Sequence, residues 1–95
     1  MDIPWNEARK ALRRKPPQGA IPLSQAQLGA VCAVAALDGE DAALRRRLLD
    51  MGLTPGTRIL PVKTAPMGDP LELRLRGYTL SIRKDEAAHI WVVTP

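Results

Sequence analysis

The stretch LELRLRGYTLSIR, residues 71–83, constrains the fold more than any other part of the chain. On both sides of its glycine, apolar and polar residues alternate with the period of two that a half-buried β-strand requires. If Arg76 and Gly77 form a two-residue turn, apolar residues face each other in three pairs: Leu75–Tyr78, Leu73–Leu80 and Leu71–Ile82. A shift by one residue would destroy this agreement, so we predict a β-hairpin with this register.

A helix that ends at a glycine is predicted in DGEDAALRRRLLDMG, residues 38–52. Asp38 or Asp41 can cap its start, because aspartate accepts a hydrogen bond from a free backbone N–H there. Residues at i, i+4 and i+7 spacing form its apolar stripe: Leu44, Leu48 and Met51. Gly52 falls where a left-handed residue ends a helix, and Leu53 can pack back on the last turn, as in a Schellman motif. We therefore predict one short helix here.

A type II turn is predicted at Thr54-Pro55-Gly56-Thr57, since proline presets φ at its second position and glycine supplies a positive φ at its third. Apolar runs predict three more strands, at about residues 30–37, 57–63 and 89–93. Pro61 cannot donate to a ladder, so it should lie at an edge or a bulge. Residues 84–88 form a turn or a single helical turn. We therefore predict an all-β fold with one short helix, closed as a small five-stranded barrel.

Residues 1–20 form a segment that is separate from the barrel domain, which we place at residues 21–95. Three of its apolar residues recur at helical spacing: Trp5, Ala8 and Leu12. Pro16-Pro17 then stops any helix. We expect a basic extension that is weakly helical or disordered. The alternative is a basic amphipathic anchor for a membrane surface or a partner.

The positive charge is concentrated in this extension. It carries five basic and two acidic residues, whereas residues 21–95 carry nine basic and eight acidic ones. A nucleic-acid-binding domain usually shows a basic patch on the fold itself, and the arginines of the helix, residues 45–47, fan out about 100° apart. We therefore expect no nucleic-acid partner. The alternative is that the barrel domain binds nucleic acid through the extension and three hairpin arginines: Arg74, Arg76 and Arg83.

The chain offers few groups for catalysis or metal binding. Cys32 and His89 are its single cysteine and single histidine, and a structural zinc site needs four ligands, so we expect no metal site and no cofactor. We expect Cys32 to be a small buried strand residue and His89 to be a solvated one. The chain has no nucleophile elbow, and its G-L-T-P-G segment lacks the lysine of a phosphate-binding loop. We expect no catalytic residue and no enzyme.

The same composition predicts where the protein works. A single cysteine rules out an intramolecular disulfide and fits a reducing compartment. No apolar run approaches the roughly 20 residues of a membrane span. We expect a cytoplasmic protein that does not insert directly into a membrane.

Together these motifs resemble the FeoA family, the small cytosolic proteins of bacterial ferrous iron uptake. The matching segments are IPLSQAQLGAVCAV at 21–34, RRRLLDMGLTPGTRILPV at 45–62 and APMGDPLELRLRGYTLSIRKDEAAHIWV at 65–92. The elements M-G-L-x-P-G, P-x-G-D-P, R-G-Y and S-I-R-x-x-E-A-x-x-I stand in the family's order and spacing. Residues 1–20 extend beyond the family's compact domain.

The resemblance implies an SH3-like five-stranded barrel with a helix inserted after the first strand. It also implies a non-enzymatic accessory that acts with FeoB, the membrane iron transporter with a cytosolic GTPase domain, and an association with transition metal ions. Because the sequence has no ligand cluster, we expect docking or regulation and not carriage of the iron. The same barrel occurs in iron-dependent repressors, but this chain has no room for a helix-turn-helix module.

We predict that the partner docks at the apolar corner between the helix and the next strand, formed by Met51, Leu53 and Pro55. The alternative is that these residues only pack the corner. The glycines of the motifs are structural positions: Gly52, Gly56 and Gly77. A homo-oligomer formed through an exposed strand edge, such as the one beside Pro61, is a further alternative.

Overall fold

The structure is a computed structural model that describes residues 17–95, so our prediction for the part of the extension before residue 17 lies outside the described residues. Six strands follow in chain order: β1 (Ile21–Pro22), β2 (Cys32–Leu37), β3 (Arg58–Thr64), β4 (Leu71–Leu75), β5 (Tyr78–Ile82) and β6 (Ile90–Val93). The helices are α1 (Ala42–Asp50) and α2 (Lys84–Ala87), and a 3-10 turn (Leu23–Gln25) follows β1.

The strands form one antiparallel sheet in the order β1-β6-β2-β3-β4-β5. Five of them lie where the sequence predicts, and the mostly β fold is confirmed. The structure has six strands, one more than the five that the sequence predicts. The additional strand, β1, has only two residues, which pair with Val92 and Trp91 of β6, and two residues are too few to show an alternating pattern.

The β4–β5 hairpin has the predicted register. The three predicted pairs are all present: Leu75–Tyr78, Leu73–Leu80 and Leu71–Ile82. Arg76 (φ +48°) and Gly77 (φ +83°) both have positive φ, which is the signature of a type I′ turn and matches the twist of the two strands. Alternating hydrophobicity therefore determined both the strands and their pairing here.

Helix α1 begins and ends where its sequence signals predict. Asp41 is the cap that is used, because its Oδ1 accepts a hydrogen bond from the third residue of the helix at 3.1 Å. At the other end, Gly52 (φ +99°) donates its N–H to Leu49 O at 3.0 Å. Leu53 N donates to Leu48 O at 3.1 Å. These two bonds define a Schellman motif.

Pro61 lies at a bulge, as its missing N–H requires. The β3–β4 register shifts between Pro61 and Lys63. β3 is an interior strand, and Gly29 N donates to Pro61 O at 2.7 Å on the side away from β4. Our expectation of an exposed strand edge beside Pro61 is therefore wrong, because the chain itself covers that position. Within the described residues, the outermost strands are β1 and β5.

One aliphatic core lies inside the sheet. Its buried residues come from the strands β2 to β6, the two helices, the 3-10 turn and the corner after α1: Leu23, Cys32, Val34, Leu48, Leu53, Ile59, Leu71, Leu73, Leu75, Ile82, Ala87, Ile90 and Val92. None of them is aromatic, which agrees with the composition of the chain. Helix α1 contributes Leu48 to this core, and its next residue, Leu49, faces solvent.

Replacing Leu48 with alanine should lower the free energy of unfolding by about 2–5 kcal/mol, because it removes most of a fully buried side chain and leaves a cavity. Leu49→Ala is the matched control on the same helix, since Leu49 is 40% exposed whereas Leu48 is fully buried. We expect the control to cost less than about 1 kcal/mol. Urea denaturation followed by circular dichroism measures both. Equal losses in the two variants would contradict the packing of α1.

Candidate partner-docking site

The predicted docking site lies at the corner between α1 and β3, around a tight turn. Thr57 N donates to Thr54 O at 3.0 Å, and Gly56 between them has a φ of +91°, as a type II turn requires. The turn is fixed to β2, because Gly56 N donates to Val34 O at 2.7 Å and Val34 N donates to Thr57 O at 2.9 Å. The predicted turn is therefore confirmed, and it is held on a strand of the barrel.

Tyr78 joins the hairpin to the end of the helix. Its hydroxyl donates a hydrogen bond to the carbonyl oxygen of Met51, one of the carbonyls near a helix end that lack an intrahelical partner. Tyr78 Oη lies 2.6 Å from the position that a Cβ on residue 52 would occupy. Gly52 is thus required twice, for its positive φ and for the approach of this hydroxyl. The M-G-L and R-G-Y motifs meet at this point.

Arg76 makes a second connection between the hairpin and the corner. Its Nη2 donates to Thr57 Oγ1 at 3.1 Å. The hydroxyls of Thr57 and Thr54 lie 2.8 Å apart and share a further hydrogen bond. Thr57, at the centre of this small network, is buried, whereas Arg76 is exposed. The hairpin turn and the corner therefore form one hydrogen-bonded unit.

The three predicted docking residues do not share one surface. Leu53 is fully buried in the core, so a partner cannot contact it in this fold. Met51 is half-buried and Pro55 is exposed. Tyr78 is 43% exposed and bonded to Met51, but the alternating pattern of the hairpin groups it with inward-facing residues, so sequence reasoning missed it. The accessible surface, which we name the docking corner, consists of Met51, Pro55 and Tyr78.

A second polar cluster is centred on Asp38, which does not cap α1. Its Oδ2 accepts a hydrogen bond from Trp91 Nε1 at 2.9 Å, and its Oδ1 lies 3.3 Å from His89 Nδ1. Asp38 N also donates to His89 O at 2.8 Å. His89, which the sequence predicts to be only a solvated strand residue, thus has a side-chain partner and precedes β6. More than fifty residues separate the two in sequence, and no local pattern could reveal the contact.

Two of the three arginines on α1 are bound to the chain itself. Arg47 forms an ion pair with Glu86, whose Oε1 also accepts a hydrogen bond from Arg83 N at 3.0 Å and caps α2. The guanidinium of Arg45 donates to the carbonyl oxygen of Gly39. Helical spacing predicts that three consecutive side chains point in different directions, and the separate partners of Arg45 and Arg47 agree with this.

The described residues offer little for metal or membrane chemistry. Within residues 17–95, no group of three or more His, Cys, Asp or Glu side chains is placed to hold a metal ion. No helix in this part of the chain is long and apolar enough to cross a bilayer. Cys32 is a buried free thiol, and its burial raises the pKa of that thiol because an apolar surrounding disfavours the thiolate.

Comparison with solved structures identifies the class of fold. A FeoA-like protein from Clostridium acetobutylicum is 40% identical in sequence and has a TM-score of 0.73, over 81% of this chain and 88% of that one. A manganese-dependent transcriptional repressor has a TM-score of 0.75 over 85% of this chain and 38% of its own, at 21% identity. The second likeness shows the fold alone. The chain is a small SH3-like domain.

The family follows from the sequence comparisons. The FeoA domain model matches residues 21–94, which is most of the chain, so this protein belongs to the FeoA family. A curated relative from Porphyromonas gingivalis, named as a fusion of Fe(2+) transport protein A and the Fe(2+) transporter FeoB, is 34% identical over 70 residues. Those residues are 74% of this chain but only 8% of the fusion protein. The resemblance seen in the sequence motifs is confirmed.

Gly52→Ala should lower the free energy of unfolding by about 2–3 kcal/mol, because the new Cβ adds strain at positive φ and displaces the hydroxyl of Tyr78. Gly56→Ala is the control: Gly56 has a similar φ, but a Cβ added to it would meet open space, with no contact within 4 Å. We expect it to lose only about 1 kcal/mol. Chemical denaturation distinguishes the two. A loss at Gly56 as large as that at Gly52 would contradict the role of Tyr78.

The buried thiol predicts a pH dependence of stability. Because the pKa of Cys32 is higher in the folded protein than in the unfolded chain, the unfolded state loses its thiol proton first as the pH rises. The free energy of unfolding should therefore fall above about pH 8.5, the usual pKa of a free thiol. Cys32→Ala removes this contribution, so the difference between the two proteins isolates it. A difference that does not change across this pH range would contradict the prediction.

Proposed function

We propose that this chain is a small accessory protein of bacterial ferrous iron uptake, which works in the cytoplasm by docking on the cytosolic, GTPase-containing part of a FeoB-type transporter. The observation that carries the proposal is the fusion protein of Porphyromonas gingivalis, whose name joins Fe(2+) transport protein A to FeoB in one polypeptide. A covalent link keeps two modules at a high effective concentration. Such a link is useful when the modules act on each other.

The docking corner is the surface that we assign to this contact. Met51 and Tyr78, which are hydrogen-bonded to each other, present apolar and aromatic surface, and the exposed Pro55 follows four residues after Met51. Such a composition favours the centre of an interface. The corner is also rigid, because its turn is bonded to β2 and its helix end to the hairpin. A surface that is already ordered loses little conformational entropy on binding. The role of the corner would thus be recognition and not chemistry.

A non-enzymatic role is consistent with how the ionisable groups are used. The Asp38 carboxylate is engaged by both Trp91 and His89, and it joins the end of β2 to β6. Among the described residues, no serine, threonine or cysteine side chain is hydrogen-bonded to His89 that could act as its nucleophile. We therefore propose regulation through binding, with no reaction catalysed by this chain and no iron carried by it.

Met51→Lys should weaken binding to the isolated cytosolic domain of the transporter by about tenfold or more, because it places a charge in the centre of the proposed contact. Met67→Lys is the matched control, since Met67 is 93% exposed on the loop between β3 and β4. Titration calorimetry with both folded proteins measures the affinities. Absence of binding by the wild-type chain would overturn the proposed function. Equal affinities of wild type and Met51→Lys would instead show that the partner uses another surface.

Nucleic acid is the competing partner, and a separate chromatography experiment tests whether the chain binds it. If the chain binds nucleic acid, its retention on an immobilised duplex should fall steeply with salt. Removing residues 1–20 then separates the contribution of the basic extension from that of the hairpin arginines. Size-exclusion chromatography at several protein concentrations tests for self-association in the same preparations.

A further inference from the structure

Strand β5 has one edge that the described residues leave open. In a two-residue hairpin the residues beside the turn form a hydrogen-bonded pair, so Tyr78, Leu80 and Ile82 direct their N–H and C=O groups towards β4. Thr79 and Ser81 therefore direct theirs away from β4. Within the described part of the chain, no backbone group from outside the hairpin is hydrogen-bonded to Thr79 or Ser81, and both residues are exposed.

The edge of β5 also lacks the features that normally protect an outermost strand from pairing with another chain. The other outermost strand, β1, has only two residues, and one of them is Pro22, which has no N–H to donate. In contrast, β5 runs for five residues, contains no proline and no charged residue, and pairs with β4 without a bulge. This edge is therefore suited to accept a further strand.

Basic side chains are concentrated in the part of the chain that forms β3, β4 and β5. Residues 58–84 carry six basic and two acidic residues, whereas the rest of residues 17–95 carry three basic and six acidic ones. The two ion pairs of the described residues, Arg47–Glu86 and His89–Asp38, involve none of these six basic residues. All six are exposed: Arg58, Lys63, Arg74, Arg76, Arg83 and Lys84. This distribution favours an acidic partner.

The inward-facing side of β5 provides apolar surface beside the same edge. Tyr78 and Leu80 belong to this side but stay partly exposed, whereas Ile82 is buried. An open cleft of about 420 Å³ adjoins the end of the strand, and its lining includes Ile82 and Arg83 from the hairpin and Met51 from the end of α1. Met51 also belongs to the docking corner, so the cleft and the corner are continuous. A strand added to β5 would turn every second side chain towards this apolar surface.

We propose that the free edge of β5 binds an extended peptide segment of a partner protein, in which acidic and apolar residues alternate. The segment adds a strand through hydrogen bonds to the outward groups of Thr79 and Ser81. Its acidic side chains lie on the face of the hairpin that carries Arg74, and its apolar ones lie on the face of Tyr78 and Leu80. Nucleic acid also favours a basic surface, but it lacks the backbone donors and acceptors that match a strand edge. The inference goes beyond the proposed function, because it holds whichever protein supplies the segment.

The experiment begins with a displayed library of random peptides of about ten residues, long enough for one strand, selected on the full chain. We expect enriched peptides in which Asp or Glu alternates with apolar residues, and their binding should weaken as salt is added. A selection that enriches no peptide, or only peptides without acidic residues, would overturn the proposal. Retention on an immobilised duplex by a chain that selects no peptide would assign the basic surface to nucleic acid instead.

Variants of the edge then test how the selected peptide binds. Ser81→Pro should lower its affinity by about tenfold or more, because it removes the outward N–H, and an edge strand tolerates proline at such a position. Ser81→Ala is the matched control, since it keeps that N–H and should bind nearly as well as wild type. Arg74→Gln should weaken binding and reduce its salt dependence, whereas Arg46→Gln, an exposed arginine on α1, should change neither. Equal affinities of wild type and a folded Ser81→Pro would contradict the added strand.

Hydrogen exchange of the wild-type chain gives a readout that needs no variant. Saturation with the selected peptide should slow the exchange of the Thr79 and Ser81 amides by about tenfold or more, because both gain a hydrogen bond. Unchanged exchange of the two amides would overturn the proposal. Slow exchange in the free full chain would also overturn it, since the edge would then already be covered by this chain or by a second copy. These readouts use no transporter domain, so they are independent of the calorimetry that tests the proposed function.

Discussion

The fold depends on how one helix is stopped. Helix α1 ends at Gly52 because that residue reaches a positive φ and leaves room for the hydroxyl of Tyr78. The Schellman bonds satisfy two of the helix-end carbonyls, and Tyr78 satisfies another. The same few atoms therefore end the helix, direct the chain into β3 and attach the hairpin. Two sequence motifs that are more than twenty residues apart are needed together because they meet at this point.

The sequence predicts those parts of the structure that arise from local periodicity. The hairpin register followed from alternation over residues 71–83, and α1 followed from its apolar stripe and its terminal glycine. Both signals are local, because the residues that produce them are neighbours along the chain. The bulge at Pro61 was predictable for the same reason, since a missing N–H has a local consequence.

The contacts that escaped prediction are those between distant segments. The pairing of β1 with β6 joins the start of the domain to its end. Asp38 meets Trp91 and His89 across more than fifty residues. The burial of Leu53 and the exposure of Tyr78 depend on how the corner packs against the hairpin. The position of the corner between α1 and β3 was therefore predictable, but which of its residues are accessible was not.

Strand β2 is shared by the docking corner and by a groove at the β1–β6 end of the sheet, which is lined by Ile21, Val31 and Val92 among others. Its first residue, Cys32, lines the groove, and Val34, two residues further on, holds the turn of the docking corner through a pair of backbone hydrogen bonds. Along a strand these two positions are only about 7 Å apart. Both surfaces therefore depend on the same register of β2 against its neighbours. The groove and the corner are thus attached to the same short length of chain.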